Sequence, residues 1–213
     1  MRAFRMGVIV AMGGAMLVAG CKKTTDNSLN LTNAINTYYA SRPACLWPDS
    51  IKFPAQVNTS DDSKTSGYDA LVDQGLLTRS TAEKKVFILG SKQVTNYDLS
   101  DKGHSTWTPD AQQPGFGNFC YGTPRVTSID SSTPTSSQPG ATTTVNYHVG
   151  ISGAPGWATA AETQTAFPQV AATLAPVAAT ATLTDTSNGW AVTQGPAGYT
   201  HSKATTADGA VVQ

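Results

Sequence analysis

Glutamate is nearly missing from this chain: Glu83 and Glu162 are the only two in 213 residues. A carboxylate pair of the glycosidase kind would therefore have to be built from Asp. Charge is also scarce, at 13%, and balanced, with 14 Lys and Arg against 14 Asp and Glu. That balance excludes a polybasic nucleic-acid binder and an acidic tail. No serine nucleophile elbow G-x-S-x-G occurs, and H-E-x-x-H, a phosphate-cradling G-x-x-x-x-G-K-[ST] and an EF-hand loop are missing as well. Gly115, Gly117 and Gly122 are too irregularly spaced for a dinucleotide fingerprint and read as a turn before Cys120. His104, His148 and His201 are scattered, and Cys45 lies far from Cys120, so no metal and no cofactor are expected. No internal repeat is visible.

What is present begins at the N-terminus. Arg2 and Arg5 form a short basic head, and residues 6–19 are almost purely apolar. The apolar run is about 14 residues, short of the roughly 20 that span a bilayer, so residues 1–20 read as a signal segment that is removed. The cleavage region Val18-Ala19-Gly20-Cys21 resembles the lipobox of bacterial lipoproteins. The resemblance implies that Cys21 receives a thioether-linked diacylglycerol, becomes the new N-terminus and is then N-acylated, commonly with palmitate. A thiol is required because its sulfur is the nucleophile that becomes the thioether. Two or three acyl chains, at about 0.8 kcal/mol per buried methylene, would hold the protein on a membrane without spanning it. Lys22, where an Asp would favour inner-membrane retention, implies the outer membrane, with the periplasmic face as the expected side. The partners so implied are the membrane itself and an envelope protein or peptidoglycan, with no nucleic acid.

Loss of residues 1–20 removes Arg2 and Arg5, leaving 12 basic against 14 acidic side chains, a net of −2. Lys22 and Lys23 would sit beside the anchor, facing anionic headgroups or simply opening a solvated tether over residues 21–28. With Cys21 lipidated, Cys45 and Cys120 remain, in a compartment that permits disulfides. The even remainder points to a pair, two buried free thiols being the alternative. A bridge closing about 75 residues would be worth roughly 4 kcal/mol in the chain-entropy model.

Leu31, Ala34, Ile35, Tyr38 and Tyr39 recur at helical spacing, which predicts a first helix over residues 29–41 ended by Arg42-Pro43. Tyr68, Leu71, Val72 and Leu76 trace a second helical face closed by Gly75, and residues 84–89 and 93–99 read as a hairpin around Gly90-Ser91-Lys92. The pieces DALVDQGLLT (69–78) and YDLSDKG (97–103) resemble part of a winged-helix segment, which would imply a helix leading into a β-wing and, in regulators of that kind, DNA binding. No basic recognition helix precedes the wing and the loop before it carries Asp61 and Asp62, so only the local geometry is carried forward.

The second half reads as β: residues 119–129 and 143–151 alternate Thr, Val and Tyr around a Ser/Thr/Pro/Gly-rich stretch over 130–142. Residues 157–174 have helical propensity broken at Pro168, and residues 177–184 and 190–194 flank the turn Asp185-Thr186-Ser187-Asn188-Gly189. The expected fold is α+β, with N-terminal helices and a β-wing-like hairpin followed by antiparallel strands in one compact domain over residues 29–195. Residues 196–213 read as a loose tail.

Asp98, Asp101 and His104 lie close enough to draw an acid/base cluster, but their setting is ordinary turn chemistry, and His148 sits within a strand. Trp47, Trp107, Trp157 and Trp190, with Tyr121 and Tyr147, could line a sugar- or peptide-binding face; core anchoring is the plainer expectation. No catalytic residue is assigned. The sequence thus points to a non-enzymatic, lipid-anchored envelope lipoprotein with a binding or structural role. A small periplasmic hydrolase or enzyme inhibitor is the alternative, and a cytoplasmic winged-helix DNA binder a third.

Overall fold

The structure, a computed structural model, describes residues 25–86, 90–133 and 138–197. Helix α1 (Thr25–Ala40) comes first, followed by the short strands β1 (Ala44–Cys45), β2 (Ile51–Lys52) and β3 (Ala55–Asn58). Then come α2 (Asp62–Asp73), β4 (Leu77–Val86), β5 (Gly90–Leu99), α3 (Asp101–Thr106) and β6 (Trp107–Pro109). The long strands β7 (Phe116–Ser132) and β8 (Thr142–Ser152) lead to α4 (Gly156–Thr159), α5 (Ala161–Ala166) and α6 (Pro168–Leu174). The hairpin β9 (Val177–Thr186) and β10 (Gly189–Ala197) completes the described chain.

Two antiparallel sheets result. The larger runs β1-β7-β8-β9-β10, with β2 and β6 also paired to β7; the smaller is ordered β3-β5-β4. This overturns the α+β expectation: the fold is mostly antiparallel β, 48% strand against 30% helix, with a curled half-barrel sheet. The physical reason lies in Thr- and Ser-rich stretches. Segments such as Leu77–Val86 and the end of β7 carry few apolar residues, yet their backbones are paired along their length. Threonine fits a pleated, solvent-facing surface well, so such strands show no alternation of apolar and polar residues.

The half-barrel wraps α1. Leu31, Ile35 and Tyr39, one helical turn apart, are buried against Val145, Tyr147, Val149, Ala179, Ala181 and Leu183 from β8 and β9. The Tyr39 and Tyr147 hydroxyls meet at 2.9 Å inside this core. Strand β7 changes register near Val126 and Ser128, and the Asn36 side chain accepts the Val126 backbone N–H at 2.9 Å. A polar side chain on α1 thus satisfies the strand where its ladder is irregular. The helix starts at Thr25, so part of the expected tether over 21–28 is helical; Cys21 and the signal segment lie outside the described residues.

A second cluster is built from rings. Trp47, Phe53, Tyr68, Tyr97, Trp107, Phe119, Trp157 and Phe167 come together with Leu46, Leu71, Leu76 and Leu77. Helix α2 feeds this cluster and ends in paired bonds, Leu76 N–H to Leu71 O and Gly75 N–H to Val72 O, both 2.8 Å, with Gly75 at φ +70°. The hairpin strands run from Leu77 and are paired as far as Val86 and Gly90, so Gly90, Ser91 and Lys92 are strand residues and not the expected turn. A single helix, α2, lies between β3 and β4. The expected helix over 157–174 is three short ones, because Pro168 starts α6 instead of kinking a longer helix. Strand β10 reaches Ala197, two residues into the expected tail, and residues 198–213 lie outside the described set.

Strand β7 serves both cores, its first half in the aromatic cluster and its second half in the half-barrel. At the crossing, Gly122 has φ +144°, and a Cβ there would lie 2.5 Å from the Ile151 side chain. Ile151 itself packs against both clusters. Among the described residues no helix is long and apolar enough to cross a membrane.

Candidate functional site

Two cysteines face each other across β1 and β7: Cys45 is opposite Cys120, and their sulfurs are 2.05 Å apart. Both are half-buried, and they floor a cleft of about 510 Å³ walled by Trp47, Asp110, Asn118, Tyr121 and Gln169. Asn118 is buried and acts as a surrogate strand edge. Its Oδ1 accepts the Trp47 N–H at 3.2 Å and its Nδ2 donates to Trp47 O at 2.7 Å. This fixes Trp47 where its ring contacts Phe53, Tyr68, Phe119 and Phe167 at centroid distances of 5.9–6.4 Å.

The remaining polar groups of the cleft are engaged with one another. Tyr121 Oη lies 2.9 Å from Thr173 Oγ1, and Gln169 Nε2 donates to Leu46 O at 3.1 Å. Burial raises the Tyr121 phenol above its ordinary pKa, with the Thr173 bond acting in the opposite sense. Asp110 receives Ser50 Oγ at 2.6 Å and the Gln112 and Gln113 N–H groups at 2.8 and 3.2 Å. Those bonds, Ser50 foremost, hold its carboxyl below the usual Asp value. The cleft therefore presents one stabilised carboxylate and no His, Lys, Arg or Glu. It has no partner group for proton transfer, and its hydrogen-bonding capacity is largely consumed internally.

Asp98, Asp101 and His104 do not assemble a site. Ser100 caps α3, accepting the Gly103 N–H at 2.9 Å and donating to Gly75 O at 2.6 Å. Asp98 accepts the Leu99 N–H at 2.8 Å, while Asp101 and His104 are exposed. His148 has a neighbour that its strand context did not reveal: Asp130 Oδ2 lies 2.9 Å from its Nδ1. Ser128 Oγ approaches the same Nδ1, at 3.5 Å. A hydrolytic relay needs the hydroxyl and the carboxylate on opposite ring nitrogens. The trio is therefore an exposed His–Asp contact with an attendant hydroxyl, and such surface contacts contribute little to stability. Among the described residues no group of three or more His, Cys, Asp and Glu is gathered to hold a metal.

The aromatics do not share one face. Trp47, Trp107 and Trp157 belong to the ring cluster with Tyr121 beside them, whereas Tyr147 is buried in the half-barrel. Trp190, on β10, packs partly buried against the half-barrel core, at a groove of about 620 Å³ between α1 and the β9–β10 hairpin. Half-buried Asp69 gathers one further cluster: Tyr97 Oη and Arg79 both donate to Asp69 Oδ1 at 2.9 Å, and burial together with that bond raises the Tyr97 phenol. Arg79, one of four bases on the wing-like hairpin with Lys84, Lys85 and Lys92, is thus already paired.

Asn118, Asp110, Gln169 and Asp130 escaped sequence reasoning, since each acts on a partner at least 18 residues away or at the end of a loop. The only local signal was a buried-type polar residue, Asn118, amid a β pattern. No family model matches the chain, and the searches of curated proteins and of solved structures gave no match.

Proposed function

We propose that this chain is a lipid-anchored lipoprotein of the bacterial cell envelope, held through Cys21, whose folded part acts by binding and not by catalysis. The observation that carries the reading is the use of the three cysteines. With Cys45 joined to Cys120, Cys21 is the remaining one, and it stands at the end of the apolar leader in the lipobox-like Val18-Ala19-Gly20-Cys21. A disulfide between β1 and β7 suits an oxidising compartment, where lipoprotein domains reside. Lys22 in place of Asp favours the outer membrane, with the periplasmic face as the expected side. The binding role is supported by a cleft without an acid/base pair and by a second, open groove beside α1.

Labelling with radioactive palmitate, combined with membrane fractionation, tests this directly. Label that follows the outer membrane and disappears in Cys21→Ser is the expected result. Unlabelled, soluble protein retaining Met1 would remove the anchor and return the winged-helix DNA-binding alternative, which salt-dependent DNA affinity would then reveal.

A further inference from the structure

The groove between α1 and the β9–β10 hairpin differs from the disulfide cleft in that its amides and its carboxylate are not bound to one another, while the Thr37 hydroxyl donates to Asn33 O at 2.8 Å. Asn30 and Asn33 project from α1 at a spacing that places them on one face. Asn188 comes from the turn of the hairpin and Asp185 from the end of β9, and Trp190 lies directly across the ladder from Asp185. None of the three Asn amides, nor the Asp185 carboxylate, makes a side-chain hydrogen bond among the described residues. Tyr38 forms the far wall, one face of its ring covered by the Arg42 guanidinium at 3.9 Å. The Trp190 ring has no aromatic partner among the described residues, unlike Trp47, Trp107 and Trp157.

We propose that this groove is a binding site for a neutral saccharide. A sugar ring offers an apolar C–H face and a rim of hydroxyls that both donate and accept. A partly exposed indole supplies a flat surface for the first, with an N–H at its edge. A primary amide supplies a donor and an acceptor side by side, which suits neighbouring hydroxyls, and a carboxylate accepts strongly from them. The lining carries no cation, so a phosphate, a nucleic acid or an acidic sugar is disfavoured, and four polar groups disfavour an acyl chain. At about 620 Å³ the groove falls within the range of roughly 300–1,000 Å³ typical of small-ligand sites. The assignment rests on the binding half of the reading above and is independent of the anchor. Asn30 is nine residues beyond Cys21 in sequence, so an anchored chain would hold this groove at its membrane-proximal end.

The test uses the full protein, extracted in a detergent without a sugar headgroup, and titrates tetramers of β-1,4-linked N-acetylglucosamine, β-1,4-linked glucose and α-1,4-linked glucose by calorimetry and ligand-observed NMR. At least one tetramer is expected to bind saturably, with Trp190→Ala weakening it tenfold or more. Asn33→Ala, a change on an exposed helix face that leaves folding intact, is expected to weaken it about threefold to tenfold. Absence of saturable binding by all three tetramers overturns the proposal, as does binding that both variants leave unchanged. A peptide that binds at Trp190 while the tetramers do not would also overturn it. Palmitate labelling at Cys21 is read on the same preparation, so failure of the saccharide assignment and failure of the anchor are separate outcomes.

Discussion

The two cores of this protein are filled in opposite ways. The half-barrel core is mainly aliphatic, with Val145, Val149, Ala179, Ala181 and Leu183 closing on Leu31 and Ile35 of one helix around one buried tyrosine pair, Tyr39 and Tyr147. The other core is ring upon ring: Phe119 alone approaches Trp107, Trp157 and Trp47 at centroid distances of 5.0, 6.1 and 6.2 Å. The difference follows from the elements available. Strands β8, β9 and β10 are 11, 10 and 9 residues long, so their ladders satisfy the backbone, and mostly aliphatic side chains with one tyrosine pair fill the interior. Around Phe119, beside the longer α2, β4, β5 and β7, the contributors are strands of two or three residues and helices of four to seven. Each brings one or two side chains, so large rings and a disulfide replace the order that long ladders supply. Irregular segments can hold a fixed cleft when they are stapled and packed by aromatics.

The sharpest way to break this comparison is Phe119→Ala. Phe119 is 0% exposed, and losing its ring should cost about 3–5 kcal/mol in denaturant unfolding, whereas Ile35→Val in the other core should cost only about 1 kcal/mol. Equal effects would mean that the ring cluster is not the keystone of its half. Removing the staple comes next. Cys45→Ala with Cys120→Ala, a link across 75 residues, should lower stability by about 2–4 kcal/mol. Hydrogen exchange should then show amides of β1, β2 and β6 losing protection while those of β8 and β9 keep it; uniform loss would erase the distinction between the regions. The smallest effect concerns Asp110, at the rim of the cleft. Its folded pKa lies below the ordinary 3.8, so its contribution is present above that value and is lost as pH falls through the folded one. Asp110→Asn should therefore flatten the acid side of the stability profile, read from urea midpoints, by lowering stability slightly at neutral pH while leaving it unchanged at pH values below the folded pKa.

Much of the local structure was legible. The stripe of Leu31, Ile35 and Tyr39 marked α1, and the turn before Trp190 marked the last hairpin, because in both cases one buried face imposes a period on the residues. The fold class was not legible, because β4 and the end of β7 expose most of their side chains and their Ser, Thr, Lys and Arg obey no burial period. The cleft was hidden for a different reason. Asn118 acts on Trp47, 71 positions away, and a contact of that separation leaves no spacing to read. Trp190 was visible as an aromatic but not as the odd one of four, since only the packing of Trp47, Trp107 and Trp157 with other rings sets it apart.

The account turns on how three cysteines are used, and intact-mass spectrometry of the protein extracted from membranes without reductant and treated with an alkylating reagent reads all three at once. The expected species begins at Cys21, carries two or three acyl chains, and takes up no alkyl group until reduction exposes Cys45 and Cys120. A species that begins at Met1, lacks acyl mass and alkylates without reduction would contradict the account.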